Sequence, residues 1–322
     1  MVCACQSQQE TQWETRVGDL NLEFDPELAY EAGGRVGDIV FESDAETPWG
    51  SEAEDLEIIG SDTRTRVTDT TQAPFRYICN FEYNVPGRGR VAGCTGTLIG
   101  PRTVLTAGHC IDTIRATHLR VIPGRNRTLE PLPATQAARL ILAPGYAPTT
   151  QTDIGIVHLV DPIGSRVGFW SADYRKTGID PTGTSILRTG TLPLPAGKLK
   201  VNVSGYPGDK PGDARSRCRD PRGNSRRCFV NGADRARSPL CGTEQWKAYD
   251  LQVARSAGML HYLNDTCPGH SGSPVWVRRH PTMGGRVLVG VHVAGDDGVS
   301  PVANRAVFIT PAVRAFIVAN TL

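Results

Sequence analysis

The sequence predicts an all-β protein, either a sandwich or a pair of barrels. Three observations carry that expectation. The apolar stretches are short and recur between turns along the 322 residues. Glycine (35) and proline (23) are frequent enough to serve many tight turns. Helical spacing of apolar residues occurs only near the end of the chain.

Residues 1–57 hold 15 acids against 2 bases and few aliphatics in any one stretch. They read as a weakly structured acidic segment. The remaining residues, 58–322, carry 33 bases against 18 acids. Such a contrast fits an acidic propeptide held near a basic body, or a plain solvated acidic tail. Strand patterns then follow in order: 75–83, which ends at the turn VPGRG, then 94–100, 101–110, 119–126, 138–146 and 153–164. After these come 198–210, 273–279 and 286–295. Residues 310–322 read as a helix, with Pro311 in its first turn and Val313, Phe316 and Ile317 on one stripe. Residues 211–241 carry 8 arginines and Cys218, Cys228 and Cys241. Without interleaved aromatics this segment reads as an exposed, disulfide-stapled loop, so no nucleic acid is expected as a partner.

The composition, 39% hydrophobic and 21% charged, belongs to a globular chain and excludes a disordered or fibrous one. No run approaches the 18 or so apolar residues that a membrane span needs. Nine cysteines suit an oxidising compartment and argue for secretion. The first ten residues lack the basic and apolar regions of a signal peptide.

Three segments point to chemistry: TAGHC with His109, TDIGIVHL with Asp153, and DTCPGHSGSPV with Ser271. A serine hydroxyl becomes a nucleophile when a base takes its proton. Histidine suits that task near neutral pH, and a buried aspartate fixes its tautomer. Glycines around a serine allow a turn whose backbone N–H groups, here Gly269 and Ser271, converge on a developing oxyanion. Cys94 and Cys110 stand 16 residues apart, where a disulfide would staple two strands and hold His109. No Cys-x-x-Cys pair suggests a metal site.

With these segments in view, the chain from about residue 57 to the end resembles the chymotrypsin-fold serine endopeptidases, and within them the V8-like glutamyl endopeptidases. The resemblance rests on IIGSDTRTRVTDTT (58–71), CTGTLIGPRTVLTAGHC (94–110), DIGIVHLVDPIGSRVGFW (153–170), SGYPGDK (204–210), DTCPGHSGSPV (265–275) and GVHVAG (290–295). It implies two six-stranded antiparallel β-barrels, about 70–165 and 166–308, with a C-terminal helix at 311–319. It also implies His109 as general base, Asp153 as its orienter, Ser271 as nucleophile, and an acyl-enzyme intermediate. Thr266 and His292 match the residues that contact a substrate glutamate in that family.

Asp265 complicates the pocket. It stands six residues before Ser271, where trypsin-like relatives hold the aspartate that attracts Arg or Lys. Cleavage after basic residues is therefore an alternative, as is an inactive protease-fold binding protein. A carboxylate near His292 would also hold that imidazole charged. His270 replaces the acid that pairs with the new N-terminal amine in digestive relatives, so the terminus is expected to approach the specificity pocket instead. The sequence EDLE before IIGSD marks the Glu57–Ile58 bond as a processing site that a Glu-directed enzyme would accept. Expected partners are protein or peptide substrates and the protein's own acidic propeptide, with a monomeric, secreted enzyme and no membrane contact. No cofactor is required. The resemblance admits a structural calcium ion, but no ligand set places it. Further pairings considered are Cys218–Cys228 and Cys241–Cys267, with Cys3, Cys5 and Cys79 unassigned.

Overall fold

β-Branched and aromatic residues in short alternating runs give fourteen strands among the described residues. The computed structural model describes residues 58–59, 61–85, 89–170, 177–179, 200–210, 240–256, 258–277, 286–295 and 303–322. The acidic segment, Glu57, the arginine-rich loop and Cys3, Cys5, Cys218 and Cys228 lie outside these residues. All the described residues belong to one compact unit.

Strands β2 (Ile78–Val85), β3 (Gly89–Gly100), β4 (Thr103–Thr106), β5 (Leu119–Pro123), β6 (Thr135–Leu142) and β7 (Gly155–Leu159) close into an antiparallel barrel in the order β2-β3-β4-β7-β6-β5. Its interior is filled by Ile78, Phe81, Leu98, Val104, Leu105, Val121 and Ile156, all fully buried. Each such side chain contributes about 1.5–3 kcal/mol by leaving water.

The remaining strands are β1 (Thr65–Arg66), β8 (Thr177–Ile179), β9 (Lys200–Gly205), β10 (Trp246–Ser256), β11 (Met259–Tyr262), β12 (Pro274–Val277), β13 (Arg286–Ala294) and β14 (Asn304–Phe308). They form one sheet in the order β1-β10-β11-β14-β13-β12-β9, with β8 parallel to β13 off that path and β9 also pairing β10. This corrects the expectation of a second six-stranded barrel. Seven strands follow one path through the sheet and an eighth joins it from the side. The reason lies in pairings that local periodicity does not reveal. Two residues before the barrel, Thr65 and Arg66, reach across to Lys247 and Trp246, and a three-residue strand adds alongside Arg286–Leu288.

Two short α-helices stand beside the strands among the described residues. α1 (Gly164–Val167) leads into Trp170, which is fully buried 6.3 Å from the Tyr77 ring and 6.1 Å from that of Trp276. Because Tyr77 precedes β2 and Trp276 lies in β12, this aromatic stack ties the barrel to the sheet. α2 (Pro311–Ala319) starts at Thr310, whose hydroxyl accepts the Val313 N–H at 3.2 Å. Its Phe316 and Ile317 are buried, and Val313 packs against the core. The following residues reach the barrel, where Leu322 N–H donates to Thr103 Oγ1 at 2.7 Å.

Candidate active site

His109 lies in a 3-10 turn, Gly108–Cys110, that follows β4 directly. Cys110 is joined to Cys94 of β3 by a disulfide with a Cα–Cα distance of 5.9 Å, which fixes that turn on the barrel. Asp153, fully buried, sits just before β7. Its Oδ1 accepts the His109 backbone N–H at 2.9 Å. Its Oδ2 stands 2.7 Å from His109 Nδ1 and accepts the Thr149 N–H at 2.8 Å. Thr149 holds that donor in place with φ +62°, an uncommon conformation for a residue with a side chain. Three donors thus converge on one carboxylate and orient the imidazole edge.

Ser271 lies between β11 and β12, in a loop held mainly by its backbone. Its carbonyl accepts the Thr95 N–H at 2.8 Å, and Gly272 N–H donates to His292 O at 2.7 Å. Gly272 has φ +82°, and a β-carbon there would stand 1.9 Å from the Thr95 carbonyl oxygen, so only glycine fits. Thr95 follows the disulfide cysteine Cys94, so Ser271 and His109 flank the same covalent link from its two ends. Among the described residues the Ser271 hydroxyl has no hydrogen-bond partner.

The loop also presents backbone donors. The N–H groups of His270, Gly272 and Ser273 are each bonded, whereas those of Gly269 and Ser271 make no hydrogen bond to a described residue. The peptides on either side of Gly269 are each fixed. Gly208 N–H donates to Pro268 O at 2.6 Å, and the Thr95 hydroxyl donates to Gly269 O at 2.7 Å. Gly269 needs φ +103°, and a β-carbon would meet Tyr206 O at 2.4 Å. Sequence reasoning missed Thr95. It stands in a stretch read only as a strand, yet it also accepts the Tyr206 N–H at 3.0 Å and so joins both halves of the protein.

The pocket residues divide. His292 in β13 and Thr266 are fully buried, and among the described residues both His292 Nε2 and Thr266 Oγ1 lack a hydrogen-bond partner. Tyr262 OH stands 2.5 Å from the other ring nitrogen of His292. Burial, with the charge of His109 adding to it, pushes the His292 imidazole down to about 3. It is neutral, not held charged by a neighbouring carboxylate as the sequence led one to expect. Asp265 explains the difference, because its oxygens are engaged elsewhere. They accept the Ile59 N–H at 2.8 Å, the Thr63 N–H at 2.6 Å and the Thr63 hydroxyl at 2.7 Å.

The same segment is locked further along. Arg64, buried, donates to both oxygens of Asp209 and to Asp62, and Lys210 donates to Asp62 at 2.9 Å. Ile58 is buried at the start of this segment. His270 is fully buried, and its Nδ1 accepts the Cys267 N–H at 3.1 Å. Burial and the Arg64 charge hold it well below the ordinary imidazole value.

A pH dependence of stability follows from His292. Neutral in the fold and titrating near 6.5 when unfolded, it binds a proton only in the unfolded chain between pH 6.5 and about 3. Its contribution is complete above 6.5 and falls away below, by about 1.4 kcal/mol per pH unit within that window. His270 acts in the same direction. Urea midpoints of the Ser271→Ala protein between pH 7.5 and 4.5 are expected to fall with acidification, less steeply with His292→Gln added. Equal slopes for the two proteins would contradict the assignment.

Cysteine pairing departs from one expectation. Cys267 is disulfide-bonded and Cys241 is not, so the two are not paired to each other, and the partner of Cys267 lies outside the described residues. Cys79 is free and buried in the barrel. Among the described residues, one group of potential metal ligands comes together: Cys94, His109 and Cys110. Its two sulfurs are consumed by the disulfide, so it does not fit a metal ion. No helix among the described residues is long and apolar enough to cross a membrane.

Comparison with known proteins places these features among peptidases. A family model described as Trypsin matches residues 66–198. The glutamyl endopeptidase of Bacillus licheniformis is 30% identical over 289 residues, covering 88% of this chain and 74% of that protein. A protein of Bacillus subtilis described as an extracellular metalloprotease is 29% identical over 246 residues, 74% of this chain and 62% of its own length. A solved Glu endopeptidase structure superposes with a TM-score of 0.56 at 26% identity, covering 81% of this chain and 98% of that one.

Proposed function

We propose, for a chain that belongs to the glutamyl endopeptidase family of chymotrypsin-fold serine proteases, a secreted endopeptidase that cleaves peptide bonds on the carboxyl side of glutamate, and of aspartate less readily. Ser271 attacks the scissile carbonyl, His109 takes its proton and later returns it to the leaving amine, and Asp153 holds the imidazole tautomer and stabilises its charged form. The unpaired N–H groups of Gly269 and Ser271 receive the oxyanion. Hydrolysis of the acyl-enzyme completes the cycle. The hydrogen bond between His109 and Ser271 forms as substrate excludes water, since such bonds often tighten only in the substrate complex. The disulfides suit an extracellular enzyme.

The observation that carries the glutamate preference is the pair of orphaned buried polar atoms, His292 Nε2 and Thr266 Oγ1. Leaving such groups unpaired costs about 1–3 kcal/mol each, and a substrate carboxylate repays both. The alternative, attraction of Arg or Lys by Asp265, finds that carboxylate occupied by three donors of the 59–63 segment. Those contacts also support a mature chain starting near Ile58. Release from the acidic propeptide at Glu57–Ile58 leaves this anchoring in place.

Digestion of a denatured protein, with sequencing of the products, tests the reading. Cleavage after Glu is expected. Cleavage after Arg and Lys would restore the Asp265 alternative. No cleavage, with no labelling of Ser271 by a phosphonylating probe, would indicate a binding protein on a protease fold.

A further inference from the structure

We propose that Tyr262 is a specificity-determining positioning residue: its hydroxyl donates to Nδ1 of His292 and so fixes the imidazole in the tautomer whose Nε2 carries the proton. The inference rests on the glutamate reading and adds the residue that makes the pocket histidine a donor.

The argument starts from the sheet. Tyr262 ends β11 and His292 lies in β13, with β14 between them. Tyr262 pairs with Asn304 and His292 with Ala306, so the two side chains meet across one intervening strand. Both are fully buried, with ring centroids 6.0 Å apart. The tyrosine hydroxyl has one proton and two acceptors to choose from. His292 Nδ1 is at 2.5 Å, and the Arg305 carbonyl oxygen is at 3.4 Å, beyond the usual range of an O–H···O bond. The proton therefore goes to Nδ1. Burial raises the Tyr262 pKa well above the ordinary value, so the hydroxyl stays a donor across the working pH range.

A neutral imidazole has one N–H. With Nδ1 accepting from Tyr262, that N–H is at Nε2, the atom with no hydrogen-bond partner among the described residues. The other tautomer would present a lone pair to the substrate carboxylate, lone pair against lone pair. Charging the ring would make the tautomer irrelevant, but burial opposes it first, the charge of Arg305 and that of His109 when protonated act the same way, and only a backbone hydrogen bond with Arg305 favours it, with no carboxylate among these groups. The backbone keeps the ring in register with the nucleophile loop: His292 N–H donates to Ser273 O at 2.9 Å, and its carbonyl accepts Gly272 N–H. Nothing in the tetrapeptide MLHY marks Tyr262 as part of the pocket.

Two measurements test it. In Tyr262→Phe, kcat/KM for a peptide cut after Glu should fall about 10–100-fold, the worth of one hydrogen bond to a charged group. The same peptide with Gln in place of Glu should change less than about threefold. A merely structural role would lower both alike, and an unchanged Glu-to-Gln ratio overturns the proposal. The second measurement uses the full chain with Ser271→Ala, labelled with 15N-histidine, the His292 signals being assigned by their loss in His292→Gln. Nδ1 should show the shift of an unprotonated ring nitrogen and Nε2 that of a protonated one; the reverse overturns the proposal even if the phenylalanine variant does not fold. Should the native enzyme show no preference for Glu, the functional reading falls, and the nitrogen shifts still decide whether Tyr262 holds the tautomer.

Discussion

Replacement of Ser271 by alanine is expected to lower kcat by about ten-thousand- to million-fold and to leave the fold unchanged. The two halves of that expectation rest on different atoms. The residue's structural work is done by its backbone, whose carbonyl receives the Thr95 N–H at 2.8 Å while the next residue binds His292 O. Among the described residues the side chain has no hydrogen-bond partner to lose, so the change in stability should stay within about 0.5 kcal/mol. Residual activity above the uncatalysed rate would come from the Gly269 and Ser271 N–H groups, which the substitution leaves in place. Stopped-flow measurement of the acylation burst, beside urea denaturation of both proteins, separates the two effects. Retention of a tenth of the native activity would show that another group is the nucleophile.

Chemistry is more legible in this chain than connectivity. His109, Asp153 and Ser271 stand in short segments whose glycines, flanking cysteine and apolar neighbours are local signals. The barrel strands announce themselves in the same way, through alternation and turns. What the sequence hides is long-range. Thr65 and Arg66 are too few to show a period, and their partners on β10 lie some 180 residues away, so the second sheet grows beyond six strands without any local sign. Asp265 shows the same limit. Its spacing from Ser271 admits a substrate-binding aspartate, and only the fold reveals backbone donors from Ile59 and Thr63 closing over it. His292 was legible as a residue but not in its charge, because ionisation is set by burial, which the sequence does not state. A Cys241–Cys267 bridge was one pairing the sequence left open, and the fold does not make it.

Asp153→Asn is expected to reduce kcat about ten-thousand-fold and, unlike the serine change, to destabilise the protein by about 1–3 kcal/mol. The frame around residue 153 is built for a group that only accepts. His109 N–H points at Oδ1, while Thr149 N–H and His109 Nδ1 both address Oδ2. An asparagine has one oxygen to offer, and either orientation of its amide opposes a donor to a donor. With NH2 at the Oδ2 position, it faces the Thr149 N–H and donates to His109 Nδ1, forcing the proton to the far nitrogen, where the ring cannot act as base toward Ser271. With NH2 at the Oδ1 position, the imidazole keeps its tautomer, but the buried His109 N–H loses its acceptor and the turn that carries the histidine loosens. Thr149 cannot swing away cheaply, because its left-handed backbone conformation is itself held by this contact. Both orientations leave one backbone N–H without its acceptor and so lower stability; only the first also reverses the tautomer and brings the full fall in kcat. Rate and urea midpoint measured on one preparation, with a 15N-histidine spectrum to report the His109 tautomer, tell which orientation the protein adopts. Native kcat together with native stability would mean that Asp153 does not orient His109.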